Sequence, residues 1–159
     1  MIITIDANWK GSIVSLPPAR LLLENANRRD LAAVRDFVKT AAAAAGLPSE
    51  AIDDLIQAAD EAATNVIVHG YGDRPGRLEV AFQCAGNGAC GWKVRLVVRD
   101  QAPPVDPRQA PPPDLSKPLH QRKPGGMGIH LIRQCIDTID YQVLEDGNEL
   151  VLTRYIARP

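Results

Sequence analysis

The sequence predicts an α/β fold in which helices cover one face of a mixed, mainly antiparallel sheet. The first observation is the order of elements along 159 residues: strands, two helices, two strands, a long loop, one helix and two strands. Strands and helices that do not alternate strictly favour a sandwich of this kind. The second is the alternation of apolar and basic side chains in GWKVRLVVRD, residues 91–100, which indicates one buried face. The apolar positions are Trp92, Val94, Leu96 and Val98.

The bulk composition is that of a globular domain with its own core. Hydrophobic residues make up 45% and charged residues 23%, with a net charge of −1. A charge this small gives no global attraction to nucleic acid or to an anionic membrane, and no apolar run approaches the length of a bilayer span. The N-terminus lacks a signal-peptide pattern, and the three cysteines contain no CxxC. We therefore expect a cytoplasmic, reduced protein folded as one domain over residues 1–159.

The N-terminal part predicts two short strands and then a helix. The strand candidates are MIITID, residues 1–6, and GSIVSL, residues 11–16. The alanine-rich segment 26–48 favours a helix that Asn27 or an earlier residue caps. The Gly-Leu-Pro sequence that begins at Gly46 ends it.

A second helix is predicted from Ser49 to about His69, ending at Gly70, with acidic residues in its first turns. At about 100° per residue its apolar side chains cluster on one side, which predicts packing against the sheet. The apolar set is Ile52, Leu55, Ala59, Ala62, Ala63 and Val66. Glu61, Asn65 and His69 fall on the other side, spread over about 80°, and we expect them to face solvent or a cleft.

The C-terminal part predicts a hairpin, a proline-rich loop, a helix and a second hairpin. The first hairpin joins strands at 77–85 and 91–100. Eight of the thirteen prolines lie in residues 101–124, a length typical of a functional lid or a flexible linker. Segment 124–140 is a glycine-rich turn that opens into a short amphipathic helix, and 140–156 contains two strands around an Asp-Gly-Asn turn.

Glu61 and Asn65 are one helical turn apart, and this pair suits phosphate chemistry. The amide of Asn65 offers a neutral oxygen ligand to Mg²⁺, a hard cation that takes few protein ligands. The carboxylate of Glu61 can accept the proton of a water or of a substrate hydroxyl. The alternative, a solvated helix face, is the commoner explanation for such a pair on its own. His69 is more typical of a helix end than of a ligand.

Two further segments suit a nucleotide. Asp100 lies where a buried strand ends, and its carboxylate can accept from the exocyclic amine of adenine while opposing the carbonyl of guanine. The alternative is an ordinary Asp in a turn before proline. Gly125, Gly126 and Gly128 lead directly into a helix, where a glycine backbone can approach phosphate oxygens and free N–H groups point at them. The alternative is a glycine-rich turn without a ligand.

These three segments resemble the GHKL ATPase superfamily, which includes gyrase, histidine kinases and the large heat-shock chaperone. EAATNVIVHGYG, residues 61–72, looks like the N-box; DQAPPVDP, residues 100–107, looks like the first glycine box; and GGMGIHLI, residues 125–132, looks like the second. The first two are most similar to the anti-sigma factor serine/threonine kinases of bacteria. The resemblance covers residues 28–156 and implies a two-layer sandwich of the GHKL ATPase type.

The resemblance implies ATP with Mg²⁺ as the cofactors. Asn65 would hold Mg²⁺, Asp100 would read adenine, and residues 108–124 would form the ATP lid. The implied nucleotide-binding set is Asn65, Asp100, Ala102, Gly125, Gly126, Met127 and Gly128.

The resemblance also implies an activity and partners. Glu61 would be the general base that takes the proton from a serine or threonine hydroxyl of a STAS-type anti-anti-sigma protein. The kinase would also sequester a sigma factor, and Arg35 falls near the partner-binding arginine of the family. A homodimer is typical of these kinases, whereas contact with nucleic acid or membrane is not expected.

Ala102 departs from the family pattern, which has glycine two residues after the aspartate. A methyl group there would crowd the base or oppose a positive φ angle, so we expect weakened nucleotide binding. The alternative function is a nucleotide-responsive or nucleotide-free partner-switch module without phosphotransfer.

Overall fold

The computed structural model describes residues 18–87, 89–111 and 127–157, in which five strands and three α-helices form an α/β fold. The strands predicted at 1–6 and 11–16, and most of the predicted lid, lie outside these residues. The strands are β1 (Ala19–Ala26), β2 (Gly76–Asn87), β3 (Gly91–Asp100), β4 (Thr138–Leu144) and β5 (Gly147–Ile156). The helices are α1 (Leu31–Ala44), α2 (Ser49–Thr64) and α3 (Met127–Cys135).

The sheet has the strand order β1-β2-β3-β5-β4, and all four pairs of described strands are antiparallel. The predicted sandwich with a mainly antiparallel sheet is therefore confirmed. The central strand β3 alternates as predicted, and its inward side chains contact those of both neighbours: Leu96 lies opposite Phe82 and Leu152. These buried side chains share one core with the buried faces of the three helices.

The strand β1 was not predicted from the sequence. Its segment ARLLLENA contains alanine, glutamate and asparagine, which strands disfavour. It forms the edge of the sheet beside β2, where Leu21 pairs with Val80 and Leu23 with Leu78. Pairing with an existing strand therefore determines its conformation more than its own propensity does.

Asn27 caps the 3₁₀ turn that leads into α1, whereas Asp30, the N-cap of α1 itself, makes no side-chain capping hydrogen bond. The Asn27 side chain accepts a hydrogen bond from the backbone N–H of Arg29 at 3.0 Å, and the Asp30 carboxylate accepts from the Asn27 N–H at 2.9 Å. This reciprocal arrangement is a capping box, which satisfies donors that the first turn leaves free. A single 3₁₀ turn, Arg28–Asp30, precedes α1.

The helix α2 does not continue to His69 as an α-helix. It ends at Thr64, and residues Asn65–Gly70 form a wider π-helical turn. The backbone N–H of Tyr71 donates to the Val66 carbonyl, five residues earlier, at 2.8 Å. Because the wider turn rotates the side chains that follow, Ile67 is fully buried although the α-helical period did not place it in the apolar set. Turns of this kind are frequent at functional sites.

The opposite face of the sheet carries charged side chains. Glu79 is 7% exposed and lies between two arginines, with Arg20 at 3.1 Å and Arg99 at 3.6 Å. Arg99 also contacts Glu149 at 2.7 Å. Paired charges of this kind keep the face polar, whereas the three described helices pack on the other face. In the described part of the chain, no helix has the length and apolar character of a membrane span.

Tyr71 connects the end of the π-turn to β2 and to the residue that follows β3 by hydrogen bonds. Its hydroxyl donates to the Arg77 carbonyl at 2.6 Å and accepts from the Gln101 N–H at 2.8 Å. The ring lies so close to Gly76 that a Cβ there would collide with it. One side chain therefore holds the start of β2 and the exit of β3 at fixed positions.

We expect Tyr71→Phe to lower the free energy of unfolding by about 1–2 kcal/mol, because both hydrogen bonds of the hydroxyl are lost. Tyr155→Phe is the matched control. Tyr155 is 50% exposed, and its ring, which lies 5.5 Å from the Lys93 ammonium, is kept in phenylalanine. Urea denaturation of the three proteins measures the difference. Equal stability of both variants and the original protein would show that the hydrogen bonds of the Tyr71 hydroxyl do not stabilise the fold.

Candidate functional site

A cleft of about 710 Å³ lies at one end of the sheet, between the π-turn, the loop after β3 and the start of α3. Asn65 and His69 line it from the π-turn, Asp100 and Ala102 from the end of β3, and Ile129 from α3. The two hairpin strands β4 and β5 complete the wall. Three segments that are far apart in the sequence therefore meet around one cavity.

The start of α3 contacts the predicted pair on α2 directly. A Cβ built on Gly128 would lie 2.6 Å from the Glu61 Oε2 atom and 3.6 Å from the Asn65 Oδ1 atom. Glycine is therefore needed at this position if Glu61 keeps its place. Met127 is the first residue of α3, while Gly125 and Gly126 lie outside the described residues.

Glu61 is half-buried at this contact. Burial raises the pKa of its carboxyl, and the neighbouring carboxylate of Asp60 raises it further. Among the described residues, no group donates a hydrogen bond to the Glu61 carboxylate, so both oxygens remain available to a proton. A carboxylate with a raised pKa is a stronger proton acceptor than an exposed one.

Asn65 and His69 continue from Glu61 along the cleft. Asn65 is half-buried, and within the described chain its side-chain amide has no hydrogen-bond partner, which leaves Oδ1 free to bind a ligand. His69 is exposed at the mouth of the cleft. Just beyond it, Asp73 accepts two hydrogen bonds from the Arg28 guanidinium, at 2.5 and 2.8 Å, and this pair fixes the chain that leaves the π-turn.

Asp100 reaches the cleft from the last position of β3. Its Oδ1 atom accepts from the backbone N–H of Ala102 at 2.8 Å and from the Asn148 amide at 2.9 Å. Burial raises the pKa of Asp100, while these two hydrogen bonds lower it. No described group donates to the other oxygen, Oδ2, which therefore remains available to a ligand.

Ala102 does not have the strained conformation that the sequence analysis expected. Among the described non-glycine residues only Asp73 has a positive φ, so the methyl group of Ala102 opposes no left-handed backbone. The hydrogen bond from the Ala102 N–H to Asp100 closes a turn that alanine can adopt. The methyl group faces the π-turn, because a Cβ built on Gly70 would lie 2.8 Å from it. Because Gly70 has no side chain, the methyl group of Ala102 has room beside it.

Three residues around the cleft were missed in the sequence analysis: Gly70 as a partner of Ala102, and the pair Asn148 and Tyr141. Asn148 was interpreted only as part of a turn, yet it is 4% exposed, and the Tyr141 hydroxyl donates to its Oδ1 atom at 2.9 Å. A polar residue at an inward position of an apolar strand is the signal that could have indicated it.

Arg35 lies away from the cleft. It is on the exposed side of α1, where its guanidinium contacts the Asp60 carboxylate of α2 at 2.6 Å. Asp60 precedes Glu61, so this ion pair marks a surface next to the candidate base.

Comparisons with known proteins identify the family of this chain. Residues 25–154 match the histidine kinase-like ATPase domain. The serine-protein kinases RsbW of Bacillus thuringiensis (strain Al Hakam) and Bacillus cereus (strain 03BB102) are each 30% identical over 118 residues, which is 71% of this chain and 69% of theirs.

A similar fold occurs in the crystal structure of the RsbU and RsbW domains of Rv1364c from Mycobacterium tuberculosis. The TM-score is 0.61 at 23% sequence identity, and the match covers 91% of this chain and 34% of that one. This chain thus spans about a third of the length of that protein, and the likeness shows the fold.

The family match extends over most of the chain, and the curated relatives cover more than two thirds of it. The chain belongs to the histidine kinase-like ATPase family, the GHKL superfamily, and within it to the anti-sigma factor serine kinases.

Proposed function

We propose that this protein is an ATP-dependent serine/threonine kinase that sequesters a sigma factor and phosphorylates a STAS-type anti-anti-sigma protein. The observation that supports this most is the contact of Gly128 with Glu61 and Asn65. It brings the start of a helix, where phosphates bind, to within reach of a proton acceptor. Family membership implies ATP binding.

Asp100 is assigned as the residue that recognises the adenine base. Its unoccupied Oδ2 atom would accept a hydrogen bond from the exocyclic amine, and the carbonyl of guanine would oppose the same carboxylate. Val105 and Val143, which line the cleft, are 73% and 62% exposed. Apolar side chains this exposed beside a cleft suit the faces of a planar base.

The phosphates and the metal ion are assigned to the other end of the cleft. The N–H groups in the first turn of α3, at Met127 and Gly128, have no acceptor within that helix and favour negative charge, as the helix dipole does. The side chain of Asn65 provides a neutral oxygen for Mg²⁺, whose other ligands would be phosphates and water. When bound, Mg²⁺ neutralises charge on the transferred group. Gly125 and Gly126 are assigned to the phosphates by resemblance.

Glu61 is assigned as the general base. The substrate hydroxyl oxygen forms a bond to the γ-phosphorus while the bond from that phosphorus to the β-γ bridging oxygen of ADP breaks. The hydroxyl proton passes to the Glu61 carboxylate. The raised pKa of Glu61 suits this role, because it brings the group closer to neutral pH.

The lid and the partner surface are also part of the proposal. Residues 108–124 would close over the nucleotide. The described beginning of this segment is held against α3, since the Arg133 guanidinium donates to the Arg108 and Ala110 carbonyls at 3.0 and 3.3 Å. Arg35, beside Asp60, would contact a protein partner, and a homodimer is expected from the resemblance.

The alternative, a partner-switch module without phosphotransfer, was suggested by Ala102. Because its methyl group faces Gly70, crowding of the nucleotide no longer supports this alternative.

One prediction of the proposed function concerns the choice between adenine and guanine nucleotides. We expect ATP and ADP to bind more tightly than GTP and GDP, and Asp100→Asn to reduce this preference about 10-fold, because the carboxylate acceptor is lost. Titration calorimetry with the four nucleotides measures it, and Asp146→Asn in the exposed β4–β5 turn is the control. Equal affinity for adenine and guanine nucleotides in the original protein would remove Asp100 from this role.

The second prediction separates Glu61 from Asn65. Glu61→Gln should leave ATP affinity almost unchanged and reduce phosphotransfer about 10²-fold or more, the range for loss of a general base. Asn65→Ala should reduce Mg²⁺-dependent ATP affinity and turnover together. The assay uses labelled ATP, Mg²⁺ and a candidate anti-anti-sigma protein, with Glu50→Gln in the exposed first turn of α2 as the control.

The pH dependence provides a second readout for Glu61. Because its folded-state pKa is raised, the rate should decline as the pH falls, from a higher pH than an exposed glutamate would give. If Glu61→Gln and Asn65→Ala unfold readily but keep normal phosphotransfer per folded molecule, Glu61 and Asn65 have a structural role only.

The third prediction concerns the methyl group of Ala102. Gly70→Ala should lower the free energy of unfolding by about 1–3 kcal/mol and weaken ADP binding, because two methyl groups would be 2.8 Å apart. Adding Ala102→Gly should recover most of both losses. A double-mutant cycle measures this coupling. Additive effects of the two changes would show that the residues do not share this space.

A further inference from the structure

Asn148 is a buried polar side chain at the second position of β5. It is 4% exposed and lies opposite Asp100 in the pairing of β3 with β5. Its side chain points to the helix-covered face, the same side as Leu150 and Leu152, at the edge of the cleft. A polar group buried in this position is costly unless its hydrogen bonds are satisfied.

The hydrogen bonds of Asn148 fix the orientation of its amide. The NH₂ group donates to the Asp100 Oδ1 atom at 2.9 Å and to the Ala102 carbonyl at 2.8 Å. A carboxylate and a carbonyl can only accept, so the nitrogen must be on this side. The Oδ1 atom of Asn148 accepts from the Tyr141 hydroxyl at 2.9 Å.

These contacts determine which oxygen of Asp100 is free. Its Oδ1 atom receives two donors, from the Asn148 amide and the Ala102 backbone. Its Oδ2 atom receives none from the described residues. Both donors also favour the ionised form of this carboxyl, whose pKa burial raises.

We propose that Asn148 is a positioning residue for base recognition: its amide clamps Asp100 and the Ala102 carbonyl so that Asp100 presents one oxygen to the adenine amine. The proposal rests on the adenine-nucleotide function assigned above to the cleft. Tyr141 acts one step further away, since its hydroxyl holds the amide of Asn148 in the orientation that Asp100 requires. The clamp, meaning the two hydrogen bonds that the Asn148 amide donates to Asp100 and to the Ala102 carbonyl, also shapes the turn that contains Ala102.

Other side chains of this size do not supply the same contacts. Threonine and serine have one hydroxyl donor and cannot donate to Asp100 and Ala102 at once, while leucine has no donor. An ionised aspartate has the shape of asparagine but would place a second carboxylate against Asp100. Asparagine alone provides two donors and one acceptor at this reach.

The test compares Asn148→Asp and Tyr141→Phe with Thr153→Val as the control. Thr153 is also buried in β5 but lies on the opposite face of the sheet. ADP and GDP affinities are measured by calorimetry between pH 5 and 8, and unfolding by urea gives the folded fraction. Tyr71 and Tyr141 face Asp100, and burial raises the pKa of both; Asp106 lies near Tyr141, and Arg108 lowers the pKa of Asp106. On the other side, a cavity lined by Asp100 and Asn148 also contains the charged side chains of Arg77, Glu79, Arg99 and Asp146.

We expect Asn148→Asp to reduce ADP affinity about 10-fold or more at pH 8 and to lose the preference for ADP over GDP. The affinity should recover as the pH falls, because a proton shared by the introduced carboxyl and Asp100 restores one donor. The original protein should show no such recovery. Tyr141→Phe should cause a smaller loss, about 3-fold, and Thr153→Val no loss.

If Asn148→Asp is less stable but binds ADP normally per folded molecule, Asn148 has a structural role only and the proposal is wrong. If the original protein binds neither nucleotide, the proposed function fails instead. The clamp is then decided by carbon NMR titration of Asp100. A higher pKa of Asp100 in Asn148→Ala than in the original protein supports the clamp, and an unchanged pKa overturns it.

Discussion

The packing of α3 on α2 at Gly128 is the contact on which the candidate site depends. It places the start of α3 against the side chains of Glu61 and Asn65, where a Cβ at position 128 would displace the Glu61 carboxylate. A phosphate-binding helix start and a proton acceptor are useful to phosphotransfer only when they are neighbours. The small residues of α2 allow this approach, since Ala58, Ala59, Ala62 and Ala63 are buried along its inner side.

The two ends of the cleft are held in different ways. At the end of the cleft proposed for the base, hydrogen bonds among Asp100, Ala102 and Asn148 fix a turn at the end of the sheet. At the end proposed for the phosphates, Glu61 and Asn65 have no described hydrogen-bond partner, although both are half-buried. Partly buried polar groups without partners cost stability, and such a cost is typical of positions kept for a ligand.

Local patterns were sufficient to predict much of the fold. The alternation in β3, the cap at Asn27 and the second hairpin depend on neighbours in the sequence, and the structure contains them. The turn of that hairpin is at residues 145–146, however, and Gly147 and Asn148, which were predicted to lie in it, begin β5. The strand β1 was missed because pairing with β2 stabilises a segment of low strand propensity. The π-turn was missed because the helical period assumes a constant turn.

The site was only partly readable from the sequence, because its decisive contacts are non-local. Glu61, Asn65, Asp100 and Gly128 were identified by side-chain chemistry and by resemblance. The structure places Asn65 and Asp100 in the lining of one cleft, and Gly128 close to Glu61 and Asn65. The accommodation of Ala102 by Gly70 joins positions 32 residues apart in the numbering of the chain. Asn148 acts through hydrogen bonds to β3 and β4, which no periodic pattern encodes.

The central claim is that one adenine nucleotide spans this cleft from Asp100 to the start of α3. Backbone amide NMR during titration with ADP and Mg²⁺ tests it most directly, because each described helix and strand has its own amide chemical shifts. The account predicts the largest shifts at the π-turn, at residues 100–106, at Met127 and Gly128, and at Asn148. We expect small shifts at Arg20, Glu79 and Arg99 on the charged face of the sheet; these residues line a cavity of about 260 Å³ that shares Asp100 and Asn148 with the cleft. Shifts concentrated at Arg20, Glu79 and Arg99, with none at the π-turn or at Gly128, would show that the nucleotide does not occupy the cleft.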